Sequence, residues 1–286
     1  HNRIASQILS EKKMLFSGGG YYEYVDGVFE KVSALTIKKT IKEKLNGRFR
    51  ENVANEVLHS LEVEAFCEID ELNASNLLNV RNGMLKLDTL ELIPHSADYK
   101  STIQLPVSYN PAAVCLKWEK ALSEIFPDSQ DKIQVLQEYM GLCLTKETKL
   151  QKSLFLLGEG ANGKSTILHV LQQVLGQANY CSIPLESFQN AHYTANLLGK
   201  LANISIETNA KSSVYDSVFK AITGGDTISA DFKYGQVFQF EPYCKLIFAL
   251  NNMPRVDDKT SAFYRRLIII RFEREFKPKE QNRRLK

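Results

Sequence analysis

Cysteine is scarce and unpaired in this sequence. Five cysteines occur in 286 residues, Cys67, Cys115, Cys143, Cys181 and Cys244, and no two form a CxxC pair. That argues against a CxxC-type zinc site and against a disulfide framework, and it reads as buried, reduced thiols in a cytosolic protein. No apolar run approaches the roughly 20 residues that cross a bilayer, and no signal peptide is visible, so neither a membrane partner nor secretion is expected. Net charge is almost absent: 36 Lys and Arg stand against 33 Asp and Glu, for a net +3. Bulk charge therefore does not call for nucleic acid. There is no internal repeat and no low-complexity tract, and SYNPAAV (Ser108–Val114) reads as a linker. The chain opens at His1 and stops in EQNRRLK, and the expectation is a piece of a longer protein.

What is present is enough apolar material for a real core, 44% of the residues, suiting one large domain or two moderate ones. Charge is uneven. From Arg255 to Lys286, 11 Lys and Arg face 5 Asp and Glu, a local +6, which suits a nucleic-acid or subunit contact as well as a solvated tail. Residues 1–112 read as mixed α+β, a collar or a DNA-binding region. In YYEYVDGVFEKV (Tyr21–Val32) aromatic and β-branched residues flank Asp26-Gly27, a hairpin signal. LTIKKTIKEKLNG (Leu35–Gly47) sets Ile37, Ile41 and Leu45 one turn apart, with the Lys38–Lys44 face opposite and Asn46-Gly47 as the stop. That lysine face fits a solvated helix surface or a phosphate backbone. Asn79–Ser96 reads as short strands with turns at Asn82-Gly83 and Asp88-Thr89. Residues 113–150 read as a helical subdomain. One helix runs from Trp118 to Phe126 and, after Pro127-Asp128, another from about Ser129 to Leu144, with Ile133, Leu136, Met140 and Cys143 on one face. From 151 to 286 strand, loop and helix alternate, which predicts a parallel sheet flanked by helices.

The chemistry starts at LFLLGEGANGKSTILHVL (Leu154–Leu171). Gly158, Glu159, Gly160, Ala161, Asn162, Gly163, Lys164 and Ser165 fit G-x-x-x-x-G-K-[ST], with Thr166 next. Glycines let backbone N–H groups converge on a phosphate, and the helix after them aims its positive end at the same anion. Lys164 can reach the β- and γ-phosphates of ATP, and Ser165 can hold Mg²⁺. SLFLL before it is a plausible buried strand and STILHVLQQVL after it a plausible helix, the context that separates a phosphate loop from a chance match.

Hydrolysis also needs a group to orient water. KLANISIETN (Lys200–Asn209) reads as a strand with Glu207 at its C-terminal end, the edge at which ligands bind in open α/β sheets. Glu207 is the candidate for activating water and, through water, for holding Mg²⁺; an ordinary surface glutamate is the plainer reading. CKLIFALNN (Cys244–Asn252) ends another strand in Asn251, which suits the γ-phosphate or the lytic water, or simply a turn before Met-Pro. Arg265 and Arg266 precede a further strand, LIIIRF, and arginine stabilises charge on a transferring phosphoryl group. SADFKYGQVFQF (Ser229–Phe240) reads as a hairpin whose tip carries Lys233 and Tyr234, a lysine to grip phosphate and a ring to stack on a base.

Taken in order, these segments resemble the superfamily 3 helicases of the AAA+ class, closest to the phage, plasmid and poxvirus primase-helicase branch. GEGANGKST is similar to the Walker A of that group and SIETN to its Walker B. ITGGDTISADFKYGQVFQFEP is similar to its B′ segment, ALNNMP to its motif C and YRRL to its arginine-finger region. NVRNGMLKL, PHSADYKSTIQLPVSYNP and IQVLQEYMGLCL resemble the stretch ahead of the ATPase. The resemblance implies an AAA+ P-loop core and a DNA helicase working as a ring, commonly a hexamer, with ATP and Mg²⁺ bound between subunits. Lys164, Ser165 and Glu207 would serve one face of each site and Arg265 or Arg266 the other, with Arg266 preferred. It further implies 3′ to 5′ movement on single-stranded or forked DNA, a primase or polymerase domain earlier in the same parent chain, and a phage replication protein working in the bacterial host cytoplasm. One departure is that Asn209 stands where some relatives carry a second acid, so Glu207 acts largely alone. A DNA-associated ATPase that loads or switches without translocating is the alternative; a small-molecule kinase would need an acceptor pocket and a lid that no segment calls for.

Overall fold

The computed structural model describes residues 2–206, 216–231, 237–254 and 261–281. They fall into two units, His1–Tyr109 and Asn110–Lys286, so the helices of 113–150 group with the sheet that follows them.

In the first unit, α1 (Asn2–Glu11) leads into an antiparallel sheet of β1 (Met14–Ser17), β2 (Gly20–Val25) and β3 (Val28–Val32). Asp26 and Gly27 make the β2–β3 turn, with Val25 opposite Val28. α2 (Ala34–Leu45) and α3 (Glu51–Glu64) complete a helical layer. α2 starts where the Ser33 hydroxyl accepts the Thr36 N–H at 3.1 Å, and it stops at Asn46 in a left-handed conformation, φ 39°. Short polar side chains at these two ends satisfy backbone groups the helix leaves open. Ile37 and Ile41 bury against Ala5 and Ile8 of α1 and Ala54, Val57 and Leu61 of α3. On the opposite face Lys38 pairs with Glu51, and Lys44 pairs with Glu11 at 2.6 Å. Half of that lysine face is thus engaged in joining helices. A second antiparallel sheet, β4 (Leu77–Val80), β5 (Gly83–Lys86) and β6 (Leu92–Ile93), closes the unit's chain.

The second unit opens with α4 (Leu116–Ile125) and α5 (Gln130–Leu142). The buried face of α5 is Ile133, Leu136 and Tyr139, with Cys143 just beyond it. Tyr139 therefore takes the place expected for Met140. Its hydroxyl donates to Leu246 O at 3.0 Å and Lys152 O at 3.1 Å, partners that an apolar side chain would leave unmet. A five-stranded parallel sheet follows. Its strands are β7 (Ser153–Leu157), β8 (Tyr180–Cys181), β9 (Ala202–Ile206), β12 (Lys245–Leu250) and β13 (Leu267–Arg271), in the order β13-β7-β12-β9-β8. An antiparallel pair, β10 (Ile228–Asp231) and β11 (Val237–Phe240), stands apart from it. Between the strands lie α6 (Lys164–Leu175), α7 (Ala191–Thr194), α8 (Asp216–Gly224) and α9 (Ser261–Tyr264). All five residues of β7 are buried, as expected of a strand covered on both faces. Phe155 on β7 and Phe248 on β12 pack against Phe188 and Phe219, and Phe219 against Phe263 of α9. Each fully buried side chain of this kind contributes about 1.5–3 kcal/mol.

Candidate nucleotide-binding site

β7 runs straight into the loop 158–163 and then α6, so strand, glycine loop and helix follow in the order the motif requires. Two glycines are forced by the geometry. At Gly163, φ is +92° and a Cβ would sit 2.6 Å from Ile125 Cδ1. At Gly158 a Cβ would meet Asn162 Nδ2 at 2.5 Å and Phe272 O at 2.6 Å. Ala161 also turns through a positive φ of 56°. Gly163 is the N-cap of α6 and supplies no side-chain cap, so the helix's first N–H groups are left for an anion.

Lys164 is only 9% exposed. Its ammonium donates to Gly158 O, to Asn162 Oδ1 at 3.1 Å and to Glu159 O at 3.2 Å. Burial pulls its pKa below the ordinary lysine value, because the charged form loses hydration. Glu159, Gly160 and Ser165 are exposed along the loop's rim, Thr166 is half-buried, and Asn162 is buried beneath it. A desolvated cation, uncapped helix donors and a backbone that side chains cannot fill together suit a polyphosphate. An exposed Ser165 hydroxyl at the helix start suits Mg²⁺ alongside it. Among the described residues no cluster of three or more His, Cys, Asp or Glu side chains could hold a metal by itself.

Asn251 is exposed and is the first residue past β12. Leu250 lies opposite Leu157 in the parallel register, and Gly158 N–H donates to Leu250 O at 3.1 Å. The structure thus brings Asn251 beside the loop. β9 ends at Ile206, opposite Ala249 of β12, at the same edge. Glu207 follows it in the sequence and lies outside the described residues, as do Lys233 and Tyr234. The stem of their hairpin is described: β10 pairs with β11 from Ile228 opposite Phe240 to Asp231 opposite Val237.

Arg265 and Arg266 precede β13 and sit at the other edge of the sheet, where Ser153 N–H donates to Arg266 O at 2.8 Å. The strand between the two edges spans about 13–15 Å. Arg265 is exposed, its guanidinium donating to Gln151 Oε1 at 2.8 Å and its carbonyl accepting from Lys152 Nζ at 2.5 Å. Arg266 is 7% exposed. It donates from Nε to Thr223 Oγ1 at 3.1 Å and from Nη1 to Ala262 O, both within its own chain. Burial, then the neighbouring Arg265 charge, lowers its pKa. Where the sequence preferred Arg266, the structure commits its guanidinium to an interior hydroxyl and carbonyl and presents Arg265 to solvent.

Two parts of this region carried no motif. The segment after β13 straps the loop, with Phe272 N–H on Leu157 O at 2.7 Å and Phe276 N–H on Ala161 O at 2.8 Å. Arg274 lies 4.4 Å over the Phe276 ring and donates to Glu124 O at 2.7 Å. At the opposite edge Lys245, 4% exposed, donates to Thr145 O at 2.6 Å and Tyr243 O at 2.9 Å, and burial pulls its pKa down to about 8. No local pattern in the sequence pointed to the strap or to Lys245.

A family model described as D5 N terminal like matches residues 5–127, and a family of unknown function, DUF5906, matches residues 156–266. A protein of Acanthamoeba polyphaga mimivirus named as a candidate helicase is 26% identical over 269 residues, covering 88% of this chain and 27% of that protein. An African swine fever virus protein named as a candidate primase is 23% identical over 237 residues, covering 78% of this chain and 24% of its own. The chain thus spans about a quarter of the length of these relatives. Among solved structures, the A form apo structure of the NrS-1 C-terminal region superposes with a TM-score of 0.64 at 13% identity, covering 98% of this chain and 63% of that one. An apo structure of the same region gives 0.63 at 11% identity. That likeness shows the fold: an α/β core whose parallel sheet carries the phosphate-type loop. The chain is thus similar to a D5 N-terminal-like region followed by a DUF5906 domain, and to viral proteins named as a candidate helicase and a candidate primase.

Proposed function

We propose that this chain is the helicase part of a longer replication protein, an ATP-driven motor on single-stranded or forked DNA that works as a ring. The observation that carries the reading is Lys164, buried at the mouth of a glycine loop between β7 and an uncapped α6. Bound ATP with Mg²⁺ supplies the phosphoryl group whose transfer to water drives movement. The loop N–H groups and Lys164 hold the β- and γ-phosphates and offset their charge. Ser165 Oγ is the protein oxygen offered to Mg²⁺. Glu207 orients and deprotonates the attacking water, and Asn251 hydrogen-bonds the γ-phosphate or that water. Arg265 belongs to a different site from its own loop, because a full strand length separates them. Reaching the γ-phosphate of a neighbouring subunit accounts for an exposed arginine at that edge. Lys233 and Tyr234, between β10 and β11 in the sequence, grip the DNA strand, with contacts that are sequence-tolerant and salt-sensitive. Primase or polymerase chemistry would reside in the parts of the parent chain outside this sequence.

The test is ATP hydrolysis with and without single-stranded DNA, run beside strand separation on a forked duplex and a mass measurement of the assembly. DNA-stimulated hydrolysis with unwinding by a ring is the expected result. Hydrolysis that ignores DNA in an intact ring would instead assign a loading or switching ATPase.

A further inference from the structure

Arg266 is a buried cation that the nucleotide chemistry leaves unused, and its partners lie on the path between two functional surfaces. Its backbone is pinned to the start of β7: Ser153 N–H and Oγ both donate to Arg266 O, at 2.8 and 3.0 Å. Its side chain leaves that anchor and meets Thr223 Oγ1 on the last turn of α8. The same hydroxyl donates to Phe219 O at 2.8 Å, so the guanidinium is tied through it to the helix backbone. Three residues, Gly225 to Thr227, separate α8 from β10, the first strand of the hairpin stem. A second link runs parallel. Phe263 of α9 stacks on Phe219 of α8 at 5.0 Å, and Phe219 meets Phe155 of β7 at 6.4 Å. α8 is therefore wedged between the strand that carries the phosphate loop, the turn that carries Arg265 and the hairpin stem.

A guanidinium is planar and its Nε–H is directional. A bond from it to a buried helix hydroxyl resists small rotations of that helix, because breaking it leaves a largely buried donor without its partner. Since Arg265 is the adjacent residue, any shift of α8 that moves Thr223 is felt at the base of the exposed arginine.

We propose that Arg266 and Thr223 form a positioning strut that couples the β10–β11 hairpin to Arg265, so that DNA engagement by the hairpin sets hydrolysis at the neighbouring subunit's site. The inference rests on the ring-ATPase reading above. It removes Arg266 from the chemistry and gives it a mechanical task. The coupled element is α8, which packs against both β10 and α9.

The experiment compares ATP hydrolysis by wild type, Thr223→Val and Thr223→Ser, with and without a single-stranded oligonucleotide, together with KM for ATP and DNA affinity. Thr223→Val keeps the side chain's shape and removes the hydroxyl. It is expected to keep basal kcat and KM within about twofold and to keep DNA affinity. Stimulation by DNA should fall about 2- to 30-fold, the range that residues along a coupling path command. Thr223→Ser restores the hydroxyl and should restore stimulation. Should the valine variant fail to fold, Thr223→Cys, near in size and a weak acceptor, carries the same comparison. A valine or cysteine variant as strongly stimulated as wild type overturns the strut while leaving the motor intact. Parallel loss of basal rate, stimulation and thermal stability also overturns it, since that marks a merely structural residue. Wild-type hydrolysis that ignores DNA overturns the motor reading first and the strut with it.

Discussion

The two edges of the parallel sheet each bury a lysine, and the two lysines are put to opposite uses. At the C-terminal edge Lys164 sits under a glycine loop whose oxygens hold its ammonium at a mouth lined by exposed Glu159, Gly160 and Ser165. At the N-terminal edge Lys245 is locked onto Thr145 O and Tyr243 O in a small cavity that Thr148, Thr223 and Cys244 also line, and among the described residues no glycine loop borders it. Burial lowers both pKa values. Depressed pKa alone thus does not mark a site; what marks one is the surrounding set of donors facing an opening. Arginine shows the same contrast at closer range: Arg265 is exposed and its neighbour Arg266 is buried.

The largest effect should come from Lys164→Ala, which is expected to take ATP hydrolysis to background by removing the phosphates' main side-chain partner. Unchanged turnover would erase the distinction between the two lysines. Next in size is Arg265→Ala, with a loss in kcat of about 10³-fold, the lower range for an arginine acting on a transferring phosphoryl group. Titrated into wild type, it should depress activity more steeply than its share of the subunits. A strictly proportional fall would count against sites shared between subunits.

Lys245→Met sharpens the contrast through pH. The folded pKa of about 8 lies below the ordinary 10.5, so between those values the unfolded chain holds more protons at this position. Wild-type stability contributed by this group therefore rises as pH climbs from 8 to 10.5 and is lost on returning to 8. Chemical denaturation across that window should show wild type gaining up to about 3 kcal/mol on the methionine variant. Parallel stability curves would mean that Lys245 is not held as described. The smallest effect belongs to Lys233→Ala, which should weaken DNA binding across sequences and reduce the salt slope of log affinity by about one. An unaltered slope would remove the hairpin from the DNA contact.

Much of the site could be read locally. Gly158 to Thr166 are neighbours in the chain, and the strand before them and the helix after them announce themselves by composition. The Asp26-Gly27 hairpin and the Asn46 stop of α2 were equally legible, because turn and cap chemistry is a matter of a few adjacent residues. Helical period placed Ile133, Leu136 and Cys143 on the buried face of α5. It missed Tyr139, whose place depends on carbonyls at Lys152 and Leu246 that no periodicity reports. The strap over the loop was illegible for the same reason. Phe276 meets Ala161 across 115 positions of sequence.

The sequence by itself determined the phosphate loop and its helix, because each rests on bonds between near neighbours. Only the tertiary structure decided which of two adjacent arginines faces outward, which buried lysine sits in a glycine loop and which is tied to carbonyls, and what lies behind Thr223. Those outcomes depend on hydrogen bonds between residues as far apart as Thr145 and Lys245, or Thr223 and Arg266, brought together by the parallel register of the sheet and by the packing of α8 against it. Desolvation, which separates a working charge from a structural one, is a property of that packing alone.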